Sequence, residues 1–480
     1  MRNQSISRYI IIIGSIAFIA YIGLRAIMIP VTHDEAGTIL NFSSQSVWDI
    51  VSYKNPIPNN HILNTLLIKG LIAIFGMYEW VCRLPNILAG VAYIVFGQKC
   101  FNRLFPKNSF LQLIGFILLI ANPYLVEFFS LARGYGLSIG FMVLSAYFIL
   151  KEGKENALMA VLLAGLSVYA NLTLLNYFVP VILIILCQWW MKRPLDWSFF
   201  SRMLAIGLVL FCLLMMPVIK MIHTNQFQYW SSNGFYQDTF IPLLKSTIQG
   251  KAYFSQYTET VFTIIIITVV VSLIISLAVY LTRGRGEVIY TLPLVWIFLL
   301  SIGYNILQHA LFKIPYLNAR TSVFYYPLFV LAACSMIAFI ENASIRLVLD
   351  KVLMIFIIMA IIHMIRSYNL KTSYEWWFDA DNKRVVEILD QAAMQDTGKI
   401  SFKCNWLFQP SMTFYIIGQH REHITAPPYN KHVDSSAVVD YYLITSDDMS
   451  PWFKTNYTID RAYAWDTRFL MKKKPWMDKE

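Results

Sequence analysis

The chain has 480 residues, of which 57% are hydrophobic and only 14% are charged, and its formal net charge is +11. Soluble proteins carry about a quarter charged residues, so this composition excludes an ordinary soluble enzyme and indicates an integral membrane protein. The positive charge does not indicate nucleic-acid binding, because the basic residues lie in short loops between apolar segments, where they orient membrane helices.

The first predicted element is the apolar segment Tyr9–Met28. Its length is close to the ~20 residues with which a helix crosses a bilayer. It is too long for the core of a signal peptide, so we interpret it as a retained span. Arg2 and Arg8 precede it, which predicts a cytoplasmic N-terminus.

Ten further apolar segments follow, and the basic clusters between them are all cytoplasmic if two spans separate each cluster from the next. This arrangement predicts about eleven transmembrane helices and an outward-facing C-terminus. The clusters are Lys99 with Arg103 and Lys107, Lys151 with Lys154, Lys192 with Arg193, Arg283 with Arg285, and Arg346 with Lys351. The segments lie near Leu84–Gly97, Leu111–Phe128, Leu137–Leu150, Leu158–Tyr169, Leu174–Trp190, Met203–Met216, Val261–Leu281, Val288–Ile302, Ser322–Ile340 and Val352–Ile365.

The first outward-facing loop, about residues 29–83, contains one more apolar segment, Ile62–Gly76. This segment is short for a span and carries Lys69, so we predict an interfacial or re-entrant helix along the outer leaflet.

From about Lys371 charged residues become frequent and apolar runs shorten. Ala380–Met394 has the periodicity of a helix and Val438–Thr445 the composition of a strand. The sequence therefore predicts an all-α polytopic transmembrane domain, residues 1–370, followed by a small α/β soluble domain outside the membrane, residues 371–480.

Asp34 and Glu35 are candidate catalytic residues, because two adjacent carboxylates directly after a span are costly unless they are solvated, paired or used in chemistry. An alternative is that Asp34 caps a helix that begins at Ala36. His61 lies among three asparagines in the same loop and is a candidate for substrate binding. A capping or interface-anchoring role is an equal alternative for His61.

Two other outer loops carry candidates for binding phosphate or substrate. One of these two loops carries Arg133 and Tyr135. The other carries Arg320, with His309 and Lys313 upstream of it. An interfacial arginine often only extends its charge into water, but two arginines on one face also suit bidentate binding of a phosphate. A carboxylate on that face would deprotonate an acceptor hydroxyl while arginine stabilised a leaving phosphate, so the pattern favours group transfer from a lipid phosphate.

In the order and spacing of its motifs, the chain resembles the GT-C class of integral membrane glycosyltransferases, in the branch of the protein O-mannosyltransferases and the lipid A aminoarabinose transferase. The motifs are His33-Asp34-Glu35 after the first span, His61 before a segment ending Ile74-Phe75-Gly76, the run Glu79–Asn86 with its Arg83-Leu84-Pro85, and Asn122-Pro123-Tyr124 followed by Ala132-Arg133-Gly134-Tyr135. The resemblance covers the first 150 residues in good order, and the multi-span pattern more loosely to about residue 340.

The resemblance implies a polyprenyl-phosphate sugar donor, an active site on the outer face and an inverting single displacement. It implies Asp34 as the general base, with Glu35 beside it. Arg320 matches loosely an arginine that precedes a late span in relatives.

Cofactors are not certain from the resemblance. His61 falls where relatives carry a histidine followed by prolines, which Ile62 and Leu63 replace here. Metal dependence varies among relatives, and the residues that would bind a divalent ion are His33, Asp34, Glu35 and His61.

Two other functions stay open from the sequence: a transporter or flippase of lipid-linked glycans, and an inactive scaffold of the same fold. Transporters carry ionisable residues and broken helices near the bilayer midplane. Here the predicted spans are nearly free of charge and the polar groups lie on one face, which favours an enzyme. The sequence does not indicate which sugar is transferred, or whether the acceptor is a glycan, a lipid or a protein. The expected location is a bacterial inner membrane.

Overall fold

The computed structural model describes residues 2–191, 196–226, 232–282, 292–340, 343–396, 398–433, 437–463 and 467–475. In this part the chain is mainly helical, with one four-stranded sheet near the C-terminus. The α-helices are α1 (Arg2–Met28), α2 (His33–Asn41), α3 (Val47–Val51), α4 (Ile62–Phe75), α5 (Glu79–Leu104), α6 (Ser109–Ile120), α7 (Pro123–Glu127), α8 (Gly134–Lys151), α9 (Lys154–Ala170), α10 (Leu175–Met191), α11 (Trp197–His223), α12 (Ile241–Ile248), α13 (Thr258–Thr282), α14 (Pro293–Phe312), α15 (Tyr325–Ala338), α16 (Ala343–Ser367), α17 (Asn382–Asp396), α18 (Gln409–Gly418) and α19 (Pro451–Asn456).

Eight helical segments of the described chain are long and apolar enough to cross a membrane, or nine if a bent pair counts as one span. The predicted count of eleven is therefore not confirmed, since α9 and α16, which it includes, are not among these segments. The basic clusters Lys192–Arg193 and Arg283–Arg285 lie outside the described residues. The eight segments are Ser5–Met28, Glu79–Leu104, Gly134–Lys151, Leu172–Met191, Trp197–His223, Ser255–Ser272, Pro293–Phe312 and Ala319–Ala338.

The segment Leu111–Phe128, predicted as one continuous span, is broken. The helices on either side of Ala121 and Asn122 meet at an angle of 65°. Proline disfavours helical backbone in the residue before it, so Pro123 ends α6 and starts α7. The Asn122 side chain caps the new helix by accepting a hydrogen bond from the Leu125 N–H (3.1 Å). The apolar helix α4 has only 14 residues, which agrees with the short element predicted there.

The chain forms two compact units. The larger unit comprises Met1–Gly23, Val47–Asn64 and Pro85–Tyr368, and the smaller comprises Leu24–Ser46, Thr65–Leu84 and Asn369–Glu480. In the larger unit α8 packs along α9, and α10 packs against both α9 and α14. Ser145 donates to the Ala160 carbonyl (2.8 Å) and accepts from the Tyr177 hydroxyl (3.0 Å), so buried polar groups join these helices.

The sheet of the smaller unit has the order β1-β2-β4-β3. Strand β1 is parallel to β2, whereas β4 is antiparallel to both β2 and β3. The strands are β1 (Phe402–Cys404), β2 (Tyr441–Thr445), β3 (Tyr457–Tyr463) and β4 (Arg468–Lys473). The predicted helix Ala380–Met394 is found as α17, with both ends two residues later, and the predicted strand Val438–Thr445 as β2, which starts three residues later and ends at the same residue.

Candidate active site

Asp34 lies in the first turn of α2, within the smaller unit. The N-cap of this helix is Thr32, whose side chain accepts from the Glu35 N–H (3.4 Å) while Glu35 accepts from the Thr32 N–H (2.9 Å). The helix therefore begins at His33, and the alternative in which Asp34 caps a helix beginning at Ala36 is wrong. Asp34 is partly exposed, and its position at the positive end of α2 stabilises a carboxylate.

Glu35, the second candidate catalytic residue, forms a fully buried ion pair with Arg83 of α5. The guanidinium donates from Nε to Oε1 (2.8 Å) and from Nη2 to Oε2 (2.7 Å). Its other three N–H groups reach the backbone carbonyls of Ala26 (3.0 Å), Ile29 (2.7 Å) and Pro30 (3.0 Å). All five donors of the guanidinium are thus occupied. Glu35 anchors the turn between α1 and α2, and its oxygens are already engaged by Arg83 and Thr32.

The residues suggested for a divalent ion do not form a metal site in the described chain, where no group of three or more His, Cys, Asp or Glu side chains has a suitable arrangement. One ring nitrogen of His33, Nδ1, is hydrogen-bonded to the Leu407 carbonyl (2.8 Å). The Glu35 carboxylate is neutralised by Arg83. These side chains do not fit a resident metal ion, so we derive no chemical step through one.

His61 is buried in the larger unit, next to Tyr135 and Gly134. Its ring lies edge-on to the ring of Tyr135, with centroids 5.2 Å apart. Its Nε2 atom is inaccessible to solvent and has no hydrogen-bond partner among the described residues. Burial lowers the pKa of His61 well below its ordinary value, the positive charges of Arg133 and Arg320 lower it further, and an interaction with the Ala170 backbone acts in the opposite direction. The structure therefore brings three predicted substrate-binding residues into one electrostatic group.

A chain of asparagines holds the backbone on both sides of Arg133. Asn64 donates to the Ala132 carbonyl (3.2 Å) and accepts from Asn86 (2.9 Å). Asn86 in turn accepts from the Leu137 N–H (2.7 Å). Because each amide satisfies another buried polar group, the loop before α8 and the first turn of that helix, residues 132–137, are fixed.

Gly134 allows this loop to lie directly against His61. A Cβ atom at this position would lie 2.0 Å from the Ala170 carbonyl oxygen and 2.7 Å from Cγ of His61. The first contact is with backbone and cannot be relieved by a rotamer change. Arg133, the preceding residue, is only 2% exposed, and its guanidinium carbon lies 5.9 Å from the centre of the Tyr135 ring.

Arg320 lies in a short 3-10 turn, Ala319–Ser322, and is partly buried. The preceding residue, Ala319, has φ of 41°, which costs an L-residue ~1–3 kcal/mol and is typical of functional sites. The Leu317 carbonyl, just upstream, accepts from the Thr239 hydroxyl (2.6 Å). This strained and anchored backbone fixes the base of the Arg320 side chain.

His309 and Lys313, the other two predicted substrate-binding residues, lie at the end of α14. Nδ1 of His309 is hydrogen-bonded to the Ile314 carbonyl (2.9 Å), and its ring stacks on Tyr316 (4.3 Å). Lys313 ends the helix in the left-handed conformation with its side chain exposed. Within the described residues, no hydrogen bond or ring contact joins either residue to His61, Arg133 or Arg320.

Two buried carboxyl groups near the candidates were missed in the sequence. Glu127 is 3% exposed and lies between Asn122 and Arg133 in the sequence. Its position as a lone acidic residue within an apolar segment is the signal that could have identified it. Asp379 is 1% exposed in the smaller unit, and its interaction with α2 joins residues 346 positions apart, which nothing in the local sequence indicates.

The larger unit also contains an apolar cavity of about 1010 Å³. Its lining is almost entirely aliphatic and aromatic, including Phe240, Leu244, Phe298 and Phe329. Among the few polar groups in its lining is the hydrogen-bonded set formed by His363 with the Tyr253 hydroxyl (2.6 Å) and the Thr247 carbonyl (2.7 Å). Such a cavity suits a long hydrocarbon chain rather than a polar ligand.

Comparison with solved structures places this arrangement in a known fold. The crystal structure of ArnT from Cupriavidus metallidurans in the apo state superposes with a TM-score of 0.52 and 12% identity, covering 96% of this chain and 97% of that one. The chain has an ArnT-like fold. ArnT is the lipid A aminoarabinose transferase, of the GT-C class, so the resemblance predicted from the sequence motifs is confirmed for the fold.

A second crystal structure, ArnT from the same organism bound to undecaprenyl phosphate, has a TM-score of 0.47 and 13% identity over 96% of this chain and 97% of that one. No protein-family model matches the chain. No curated protein sequence matches it either.

Proposed function

We propose that this ArnT-like chain is a glycosyltransferase that moves a sugar from a polyprenyl-phosphate donor to an acceptor on the outer face of the membrane. The observation that carries the proposal is the buried His61. Its Nε2 atom has no hydrogen-bond partner among the described residues, and the charges of Arg133 and Arg320 act on its imidazole. Two guanidinium groups and the nitrogen of a buried imidazole together suit a phosphate, by charge and by hydrogen bonding.

The apolar cavity supports a lipid-linked donor over a soluble sugar nucleotide. A polyprenyl chain consists of apolar isoprene units, and burying them in an aromatic and aliphatic cavity keeps their surface away from water. ArnT, which shares the fold, has itself been solved with undecaprenyl phosphate.

The residue roles in the proposed reaction are those predicted from the sequence. Asp34 accepts the proton of the acceptor hydroxyl, and the resulting oxygen attacks the anomeric carbon of the donor sugar. The bond between that carbon and the phosphate oxygen breaks, and its electrons leave with the polyprenyl phosphate. Arg133 and Arg320 stabilise the charge that develops on this leaving group. One displacement inverts the configuration at the anomeric carbon. Glu35 holds the helix that carries Asp34.

The test is a transfer assay with purified protein in nanodiscs and a panel of polyprenyl-phosphate sugars. Asp34→Asn is nearly isosteric and should abolish the release of polyprenyl phosphate while the protein stays folded. Asp49→Asn is a matched control, because Asp49 is also in the first loop but pairs with the exposed Lys54 (3.3 Å). Arg320→Ala should mainly raise the donor KM.

Wild-type turnover in the Asp34→Asn variant would remove the base assignment. An unchanged donor KM in Arg320→Ala would remove that residue from the donor site. A donor that binds tightly, moves between leaflets and is never consumed would instead support a flippase.

A further inference from the structure

The backbone directly before Asp34 is held by residues from the C-terminal part of the smaller unit. The Val31 N–H donates to the Tyr415 hydroxyl (2.9 Å), and the Val31 carbonyl accepts from the Ser411 hydroxyl (2.6 Å). The His33 N–H donates to Oδ2 of Asp379 (2.7 Å). The first two contacts come from one face of α18, which packs against α2.

Asp379 is the unusual member of this set, because a carboxyl that is 1% exposed is costly unless its oxygens are used. One oxygen accepts from His33 and the other from the side chain of Asn382 (2.7 Å). Burial raises the pKa of Asp379 well above its ordinary value, the nearby carboxyls of Asp34 and Glu35 raise it further, and the His33 N–H and Arg468 act in the opposite direction. The group is therefore sensitive to the charge at the N-terminus of α2.

The His33 N–H is one of the first-turn donors of α2 that have no partner inside the helix. Thr32 and Glu35 satisfy each other through the capping box, and Asp379 satisfies His33 from outside. Asp34 thus lies between two neighbours with fixed positions, His33 held by Asp379 and Glu35 held by Arg83. Its own side chain is partly exposed.

We propose that Asp379 is a positioning residue for the transfer reaction, and that the C-terminal segment directs the Asp34 carboxylate by holding residues 31–33. The proposal rests on the proposed function, since it assumes that Asp34 is the base. It assigns to the segment after Asn369 a part in catalysis, although the sequence carries no catalytic motif there.

The perturbation is Asp379→Ala, which removes the acceptor of the His33 N–H. A misplacement of about 1 Å at a catalytic group costs ~100-fold in rate, so kcat should fall about 10- to 100-fold while the donor KM is unchanged. Asp379→Asn keeps an oxygen for His33 and should restore most of kcat. Tyr415→Phe removes the hydroxyl that accepts from Val31 and should also lower kcat.

Asp440→Ala is the matched control. Asp440 also accepts from a backbone N–H and a hydroxyl of the C-terminal segment, but both belong to Ser401 (2.9 and 2.6 Å) rather than to the residues before Asp34. It should lose stability without a change in kcat per folded molecule.

Hydrogen exchange of the His33 amide gives a second readout that does not need the reaction. It should accelerate in Asp379→Ala, and in Tyr415→Phe at Val31, but not in Asp440→Ala. Unchanged kcat in Asp379→Ala or Tyr415→Phe, an equal kcat loss in Asp440→Ala, or unchanged exchange at His33 would overturn the proposal. If Asp379→Ala does not fold, Tyr415→Phe decides in the same way.

Failure of the two proposals can be told apart. Activity that depends on Asp34 but not on Asp379 overturns only the positioning role. Absence of transfer with every donor counts against the proposed function, while exchange at His33 still reports whether Asp379 holds α2.

Discussion

Replacing Arg83 with methionine removes one half of a buried ion pair and should destabilise the chain by about 3–5 kcal/mol. The structure gives the reason for so large a value. Both side chains of the pair are 0% exposed, so the variant leaves the Glu35 carboxylate without its cation in a place that water does not reach. Three backbone carbonyls to which Arg83 donates also lose a donor, which adds to the cost.

Arg103→Met is the control within the same helix. Arg103 also donates to two carbonyls, those of Leu150 (2.9 Å) and Lys151 (3.3 Å), but these bonds are exposed. Substitutions of this kind usually change stability by less than about 0.5 kcal/mol. A comparison of the two variants therefore separates burial from the mere loss of an arginine.

The assay is equilibrium unfolding in mixed detergent micelles, followed by fluorescence of the 13 tryptophans. Adding Glu35→Gln to Arg83→Met removes the unpaired charge and should recover part of the loss, with a coupling energy of about 0.5–3 kcal/mol. If Arg83→Met costs less than about 1 kcal/mol, or no more than Arg103→Met, the pair is not the anchor that its geometry indicates.

Three further predictions concern other parts of the chain. His61 has a lowered pKa and is neutral at pH 7 in the free protein. A bound phosphate would raise that pKa, so binding of undecaprenyl phosphate should take up a proton and weaken as pH rises. Calorimetry in buffers of different ionisation enthalpy should detect this proton uptake in the wild type and none in His61→Asn. Gly134→Ala should weaken binding of the same lipid and lower the melting temperature, because the new methyl group meets the Ala170 carbonyl; an unchanged melting temperature would contradict the close packing. For topology, a cysteine in the variant Gln391→Cys, at an exposed position of α17, should react with an impermeant thiol reagent outside intact cells. The cysteine in Lys107→Cys should react only after lysis. The reverse pattern would show that the predicted orientation is inverted.

The membrane helices were predictable because their main determinant is local. A long apolar segment needs no partner to be identified, and α1, α5, α8 and α11 lie where hydropathy places them. The break after α6 was missed because the average hydropathy of the segment obscured Asn122-Pro123, although the turn chemistry of this pair was visible.

The candidate site was predictable to the extent that it depends on residue type within one loop. Asp34 and Glu35 stood out together, but their different environments depend on Arg83, 48 residues after Glu35, and on Asp379, 346 residues after His33. His309 and Lys313 were predicted because they are polar and lie upstream of Arg320. Spacing alone does not reveal that the ring of His309 bonds the Ile314 carbonyl just after α14. Tertiary pairing of this kind leaves no periodic pattern in a single sequence.

The five occupied donors of Arg83 also bear on how the protein enters the bilayer during synthesis. An arginine near the start of a membrane helix opposes insertion of that helix by itself, at a cost of about 2.5–3.5 kcal/mol if it lies at the bilayer centre. Its partners here are Glu35 and the carbonyls at the end of α1, all of which leave the ribosome first. We therefore expect the first span and the turn after it to receive Arg83 as it emerges, so that α5 integrates as the second arm of a hairpin.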